Sequence, residues 1–142
     1  MNEIKKGSYI LADIEYNTRI CKVTGFMQTF DKVKIITADT EEKREYILPY
    51  KNLRPLPLTK EMLLVNGWKK WHTLIPWRGY FHKDGWRLYP CEPIGWMLTA
   101  GQRSISKFCY IHELQQLLVC ISLSKNKEHF KFENFDFPLY LL

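Results

Sequence analysis

The feature that most constrains the fold is a repeated alternation of polar and apolar residues in short runs. A period of two places apolar side chains on one face of a β-strand and polar side chains on the other. The alternation is clear in residues 19–23 and 32–36. Residues 7–12 and 44–48 supply further strands, the last ending at Pro49, which has no amide hydrogen to donate to a ladder. We therefore predict four or five short antiparallel strands in the first part of the chain.

So many short strands in so little sequence predict a small, strongly bent SH3-like β-barrel over residues 1–57. The connector that follows contains Pro55 and Pro57 and is stiff, because each proline restricts its own φ and the residue before it. We place the boundary between two modules here. The second module then comprises residues 58–142.

The sequence of the second module predicts a mixture of helix and sheet. Thr59 is a good N-cap for a helix of about two turns, and Asn66-Gly67 is a good stop. Asp84-Gly85 is a hairpin turn signal, so an antiparallel meander is expected around it. Apolar residues then recur at helical spacing at positions 110, 111, 114, 117, 118 and 121. The predicted fold class is α+β, an SH3-like barrel followed by a β-meander packed with one short and one longer helix.

Composition narrows the class of protein. The chain has 142 residues, of which 46% are hydrophobic, so it has enough apolar material for a folded core. No apolar run approaches the roughly 18 residues of a membrane helix, and the first residues lack the apolar stretch of a signal peptide. The four cysteines show no C-x-x-C spacing, so we expect buried, reduced thiols in an intracellular protein without membrane partners.

Aromatic and cationic residues are concentrated in one stretch. All five tryptophans lie between residues 68 and 96, and residues 68–90 carry five Lys or Arg against one Asp, within a chain of formal net charge +6. A ligand that consists of planar bases joined by phosphates suits such a surface. Its bases stack on aromatic side chains, and its phosphates bind to the cations. We therefore expect a nucleotide-type ligand. The candidate ligand-binding residues are Lys70, Trp71, Arg78, Tyr80, Arg87 and Tyr89.

The face of each residue follows from the alternation. Tyr80 and Arg78 should point to one side of the hairpin, and Trp77 and Phe81 to the other, which packs inward. Two other interpretations of the same pattern stay open. A half-exposed strand stays soluble through such alternation, and an aromatic face is also typical of a homo-oligomer interface. Trp68 and Trp96 are expected in the core.

Catalytic patterns are weak. Cys109 precedes His112 by three residues, but no further metal ligand or H-E-x-x-H motif accompanies the pair, so we predict neither a metal nor a thiol nucleophile. His112 and Glu113 are expected on the polar face of the long helix. His72 and His82 have no neighbour in sequence that orients them as acid and base. No P-loop, G-x-G-x-x-G or G-x-S-x-G motif is present, so we expect a binding protein without a cofactor, not an enzyme.

Two motifs carry a resemblance to known proteins. Residues 53–59 read L-R-P-L-P-L-T and lead to N-G-W at 66–68, and residues 110–117 read Y-I-H-E-L-Q-Q-L. They resemble a family of small, mostly uncharacterised proteins from phages and prophages of Bacteroides-like bacteria, with R-P-I-P-L-T, N-G-F and Y-V-H-Q-L-Q-N-L at these places. This chain differs by Trp68 for Phe, Glu113 for Gln and Gln116 for Asn, and its tail after Ile121 does not follow the family.

The resemblance implies a phage protein acting in the cytoplasm of a bacterial host cell. Small basic phage proteins of this kind are candidates for counter-defence, and one such class sequesters cyclic nucleotide or ADP-ribose-type signals of bacterial immunity. Our first hypothesis is a homo-oligomeric sponge of that kind. The alternatives are a DNA- or RNA-binding module and a phage inhibitor that binds a protein.

Overall fold

The computed structural model describes residues 4–27, 31–71, 79–91, 95–100, 103–125 and 135. Within them, the alternating runs of the first part of the chain form one antiparallel sheet. Its strands are β1 (Tyr9–Ile14), β2 (Asn17–Phe26), β3 (Lys32–Thr37), β4 (Glu45–Pro49) and β5 (Leu53–Pro55), with a 3-10 helix at Tyr50–Asn52. The order across the sheet is β4-β3-β2-β1-β5.

One face of the first sheet packs into a buried cluster of its own, and its described strands do not form a closed barrel. Ile10, Val23 and Ile35 belong to a cluster of buried residues on that face. A register shift between Val23 and Gly25 interrupts the pairing of β2 with β3. Strands β4 and β5 stand at the two ends of the order, and no pairing joins them in the described ranges.

The second sheet is a five-stranded antiparallel meander. It contains β6 (Lys69–Trp71), β7 (Tyr80–Lys83), β8 (Trp86–Pro90), β9 (Trp96–Ala100) and β10 (Arg103–Phe108), in the order β10-β9-β8-β7-β6. The predicted hairpin turn is confirmed. Asp84 and Gly85 both have positive φ, 49° and 87°, as a two-residue turn of type I′ requires.

Strand β10 was missing from the sequence prediction. Its residues, Arg-Ser-Ile-Ser-Lys-Phe, contain only two apolar side chains, and a register shift between Ser104 and Ser106 breaks the alternation. As an edge strand of the sheet it needs little apolar surface, because one side of it faces solvent. Pairing with β9 stabilises a segment whose own sequence signal is weak.

Both predicted helices are present. The short helix α1 spans Lys60–Val65, and the Thr59 hydroxyl accepts a hydrogen bond from the Met62 amide at 3.3 Å, which confirms Thr59 as the N-cap. The longer helix α2 spans Ile111–Lys125. At its start the Glu113 carboxylate accepts hydrogen bonds from the amides of Cys109 and Tyr110, at 3.3 and 3.2 Å. These bonds satisfy amides that no helical carbonyl reaches.

The expected polar face of α2 is not a solvent face, and the expectation for His112 was wrong. His112 is fully buried, like Ile111 and Leu114. Gln115 accepts a hydrogen bond from the Tyr9 amide and donates one to the Gly7 carbonyl, both at 3.0 Å. The helix therefore contacts the backbone at the start of β1 through a polar side chain.

One core draws on both sheets and both helices. Leu11 and Ile20 of the first sheet belong to the same buried cluster as Phe81, Leu88 and Leu98 of the second. This cluster crosses the predicted module boundary after residue 57, which stays a prediction. In the described ranges no helix has the length and apolarity needed to cross a bilayer. Of residues 126–142 the structure describes Phe135, whose ring centroid lies 4.9 Å from that of Tyr9.

Two adjacent leucines of α1 test the packing. Leu63 has no exposed surface, whereas 54% of Leu64 is exposed. We expect Leu63→Ala to lower the free energy of unfolding by about 2–5 kcal/mol, because it leaves a cavity in the shared core. Leu64→Ala should change it by less than about 0.5 kcal/mol. Urea denaturation of both variants measures this, and equal losses would contradict the described orientation of α1.

The buried thiol of Cys21 gives a test of the first sheet. Burial, with a smaller contribution from Asp39, raises the pKa of Cys21 to about 12. We expect iodoacetamide near pH 8.5 to leave Cys21 unmodified in the folded protein and to modify it in urea, as mass spectrometry of the peptides would show. Because the unfolded thiol loses its proton first, this group should lower stability as pH rises from about 9 towards 12. Rapid native labelling of Cys21 would contradict this.

Candidate functional site

The second sheet has an outward face on which aromatic side chains line up across the strands. The pairing register places Trp71 opposite Tyr80, Tyr89 opposite Met97, and Met97 opposite Lys107. The pairing of Phe81 with Leu88 extends by one residue to place Tyr80 opposite Tyr89. We call this set the aromatic row: Trp71, Tyr80, Tyr89, Met97 and Lys107. It crosses all five strands of the sheet.

The three rings of the aromatic row are in contact and accessible. The rings of Trp71 and Tyr80 lie nearly parallel, with centroids 6.2 Å apart and 19° between their planes. The rings of Tyr80 and Tyr89 are 5.0 Å apart and tilted by 44°. Trp71 is 51% exposed, and both tyrosines are half-buried. The three rings therefore form one aromatic patch on this side of the sheet.

A second row of side chains lies beside the aromatic row, two residues away on β6 to β9 and three residues away on β10, where the register shifts. The register pairs Lys69 with His82, His82 with Arg87, Arg87 with Thr99, and Thr99 with Ser104. We call this set the polar row: Lys69, His82, Arg87, Thr99 and Ser104. Since alternate residues of a strand share a face, the two rows form one surface. We call that surface the outer face.

Arg87 connects the two rows. Its guanidinium carbon lies 4.9 Å from the centroid of the Tyr80 ring, a cation–π geometry. A hydrogen bond with Tyr89 and the proximity of Tyr80 raise the pKa of Arg87 above its ordinary value, so the group stays charged. Arg87 itself is exposed. The arrangement presents a fixed positive charge above an aromatic ring.

The charge of the outer face is one-sided. Lys69, Arg87 and Lys107 are exposed cations, and none of the ten residues of the two rows is an Asp or Glu. A face of one sign attracts anions and raises their local concentration. The outer face is therefore suited to a ligand that combines planar rings with negative charge.

Four of the six predicted ligand-binding residues share this face. The structure brings together Trp71, Tyr80, Arg87 and Tyr89, which confirms the predicted division of β7 and β8 into two faces. Whether they bind a ligand stays a prediction. Arg78 lies outside the described residues, as does Trp77, which the sequence placed on the inward face.

The structure places Lys70 away from the other predicted ligand-binding residues. It pairs with the buried Phe81, and its Cε lies 3.9 Å from the position that a Cβ on Gly79 would occupy. Lys70 is therefore directed to the opposite side of the sheet from Trp71, where it is exposed beside the edge strand. The physical reason is the period of two itself, since adjacent residues of a strand cannot share a face. Lys69, one residue earlier, takes the position expected for Lys70.

Several residues of the outer face were absent from the prediction. Met97, Thr99 and Lys107 come from β9 and β10, which only the pairing register brings beside the hairpin. His82 was considered in the sequence as an acid or base, and it now stands between two cations of the polar row. The period of two in β9 was the available signal, because it assigns Met97 and Thr99 to the face opposite the buried Leu98.

The remaining tryptophans divide as the sequence predicted. Trp68 and Trp96 are buried, and the Trp96 indole donates a hydrogen bond to the Leu58 carbonyl at 3.1 Å. Trp86 is also buried, with Phe81 and Leu88 on the inward face of the hairpin. Trp71 thus stands out among the four described tryptophans as the exposed one.

The residues that the sequence analysis considered for catalysis do not form a surface like the outer face. His112 is buried and its ring stacks on Tyr110 at 5.9 Å, while the Cys109 amide is bonded to Glu113. His72 lies outside the described residues. Within the described ranges, no three His, Cys, Asp or Glu side chains are grouped so that they can hold a metal ion.

A cavity on the first sheet is the main competing site for an anion. It has a volume of about 330 Å³ and is lined by Arg19 and Arg44 among others. Both guanidinium groups already face carboxylates, with Arg19 Nε 3.5 Å from Asp39 and Arg44 Nη2 3.6 Å from Glu42. The outer face of the second sheet offers cations without such neighbours among its ten residues, so it is the stronger candidate.

Comparison of the chain with models of protein families, with curated proteins and with solved structures found no match.

Proposed function

We propose that the protein binds single-stranded nucleic acid on the outer face of its second sheet and catalyses no reaction. The observation that carries this proposal is the row of three accessible rings on adjacent strands, beside exposed cations. Among the readings that the sequence left open, an open face of this extent favours a polymer with repeating bases over one small molecule. Such a polymer offers successive bases to successive rings.

The interaction energies expected of the aromatic row and the polar row also favour single-stranded nucleic acid as the ligand. Stacking of one base on an aromatic side chain contributes about 1–3 kcal/mol and tolerates any base, because every base has a π-face. Lys69 and Arg87, in the polar row, then neutralise phosphates without reading sequence, and Lys107 adds positive charge at the end of the aromatic row. Binding should therefore be insensitive to base sequence and should weaken as salt rises.

A matched pair of tyrosine variants tests the aromatic row. We expect Tyr80→Ala to weaken binding of an oligothymidylate of about twelve nucleotides about tenfold, because it removes one stacking surface. Tyr16, which is fully exposed in the turn between β1 and β2, provides the control, and Tyr16→Ala should bind as the wild type does. Fluorescence anisotropy measures both affinities, and circular dichroism confirms the fold. Equal affinities for the two variants would exclude the aromatic row as the binding surface.

Salt dependence tests the contribution of charge. We expect the logarithm of the binding constant to fall linearly with the logarithm of the salt concentration between about 50 and 200 mM. Arg87→Gln should reduce that slope by about 0.7, the value for one phosphate contact on a single strand. A slope unchanged in Arg87→Gln would mean that Arg87 does not contact phosphate.

A second candidate is the sequestration of a nucleotide-derived immune signal, such as a cyclic nucleotide or ADP-ribose-type molecule, in the cytoplasm of a bacterial host. The position of Arg87 above Tyr80 favours it, because a ring and a fixed charge at 4.9 Å suit one base and one phosphate. The resemblance to phage proteins supports the same role. An SH3-like closure of the first sheet stays a proposal, since no pairing joins β4 to β5 in the described ranges. A homo-oligomer would then enclose the open face between subunits.

The two candidates are separated by a thermal-shift series with cyclic dinucleotides, cyclic trinucleotides and ADP-ribose beside the oligothymidylate. A ligand that binds only the folded state raises the melting temperature by mass action. A shift with one small nucleotide that is recovered intact, and none with the oligonucleotide, would favour sequestration. Light scattering on the same sample gives the oligomeric state.

A further inference from the structure

Thr99 is a buried polar residue on a face that is otherwise open. It is 8% exposed, and its hydroxyl oxygen is buried with no hydrogen-bond partner among the residues that the structure describes. Folded proteins pair the large majority of their buried polar groups, because an unpaired group loses its bonds to water without replacement. A buried hydroxyl left in this state on a candidate binding face points to a ligand that supplies the missing partner.

The neighbours of Thr99 indicate the chemistry of that ligand. The register places Arg87 directly opposite Thr99 on β8 and Ser104 directly opposite it on β10. Side chains paired in this way have Cβ atoms about 5 Å apart. The Arg87 guanidinium is exposed and charged, and the Ser104 side chain is exposed. An anion is the acceptor that gains most from a hydroxyl and a charged guanidinium together, because hydrogen bonds to an ionised acceptor are the stronger ones.

We propose that Thr99 and Arg87 form a phosphate subsite within the polar row, in which the Thr99 hydroxyl donates to a phosphate oxygen and Arg87 supplies the charge. The subsite rests on the proposed function, because it assigns the phosphates of the same ligand. Hydrogen bonds to an ionised acceptor are shorter and stronger than neutral ones, so a phosphodiester gains more from this pair than an uncharged group does.

The phosphate subsite determines the direction in which the bound nucleic acid crosses the sheet. Met97 and Tyr89, of the aromatic row, lie two residues from Thr99 and Arg87 on the same strands and the same face. Bases that stack on the aromatic row therefore leave their phosphates over the polar row. The nucleic acid crosses the β-strands, with its bases on one row and its backbone on the other.

Substitution of Thr99 separates a ligand role from a structural one. Thr99→Val replaces an unpartnered hydroxyl with a methyl group of similar size, so we expect the melting temperature of the free protein to stay the same or rise. The affinity for the oligothymidylate should nevertheless fall about tenfold. Thr99→Ser, which keeps the hydroxyl, should bind within about twofold of the wild type. Thr24→Val, on the first sheet, is the matched control and should leave the affinity unchanged.

An abasic strand of the same length assigns the contact to phosphate. We expect Thr99→Val to weaken binding of the abasic strand by the same factor, whereas Tyr80→Ala should have no effect on it, because no base remains to stack. Wild-type affinity in Thr99→Val for both strands would overturn the subsite while leaving the proposed function in place. A lower melting temperature of Thr99→Val would contradict the absence of a partner in the free protein. Failure of the wild type to bind either strand would overturn the proposed function together with the subsite.

Discussion

The structure depends on the burial of one face of the second sheet. Phe81, Trp86, Leu88 and Leu98 point inward and join Leu11 of the first sheet in one core. Their burial contributes about 1.5–3 kcal/mol for each large side chain, which is the main term that holds the two halves of the chain together. Because adjacent residues of a strand face opposite ways, this burial also directs every alternate residue outward. The candidate site lies on the outer face, which the same alternation leaves directed away from the core.

Helix α2 is joined to the first sheet by polar side chains. Its start is held by the Glu113 carboxylate, and Gln115 bonds the backbone on both sides of Ser8. These polar side chains join elements, and the same helix buries His112 beside its apolar residues. A pattern of polar residues on one helix face predicts exposure only when no second element covers that face.

Prediction from the sequence succeeded where the local signal was strong. The Asp84-Gly85 turn, the Thr59 cap and the alternating strands all have local causes, and they appear where they were expected. It failed at β10, whose pairing with β9 outweighs a weak pattern, and at Lys70, which was grouped with its neighbour Trp71 although adjacent residues of a strand face opposite ways. The failure at β10 concerns pairing between segments, to which local preference contributes little.

The sequence by itself determined which residues alternate, where the chain turns, and that rings and cations would be concentrated in one hairpin. Tertiary structure decided which of them meet. Trp71, Tyr80, Tyr89 and Met97 lie on four different strands and become neighbours only when the sheet assembles in one register. The buried Thr99 hydroxyl beside Arg87 is likewise a property of β8 paired with β9. Side-chain period is a local property of the backbone, whereas register is set by the packing of the whole core.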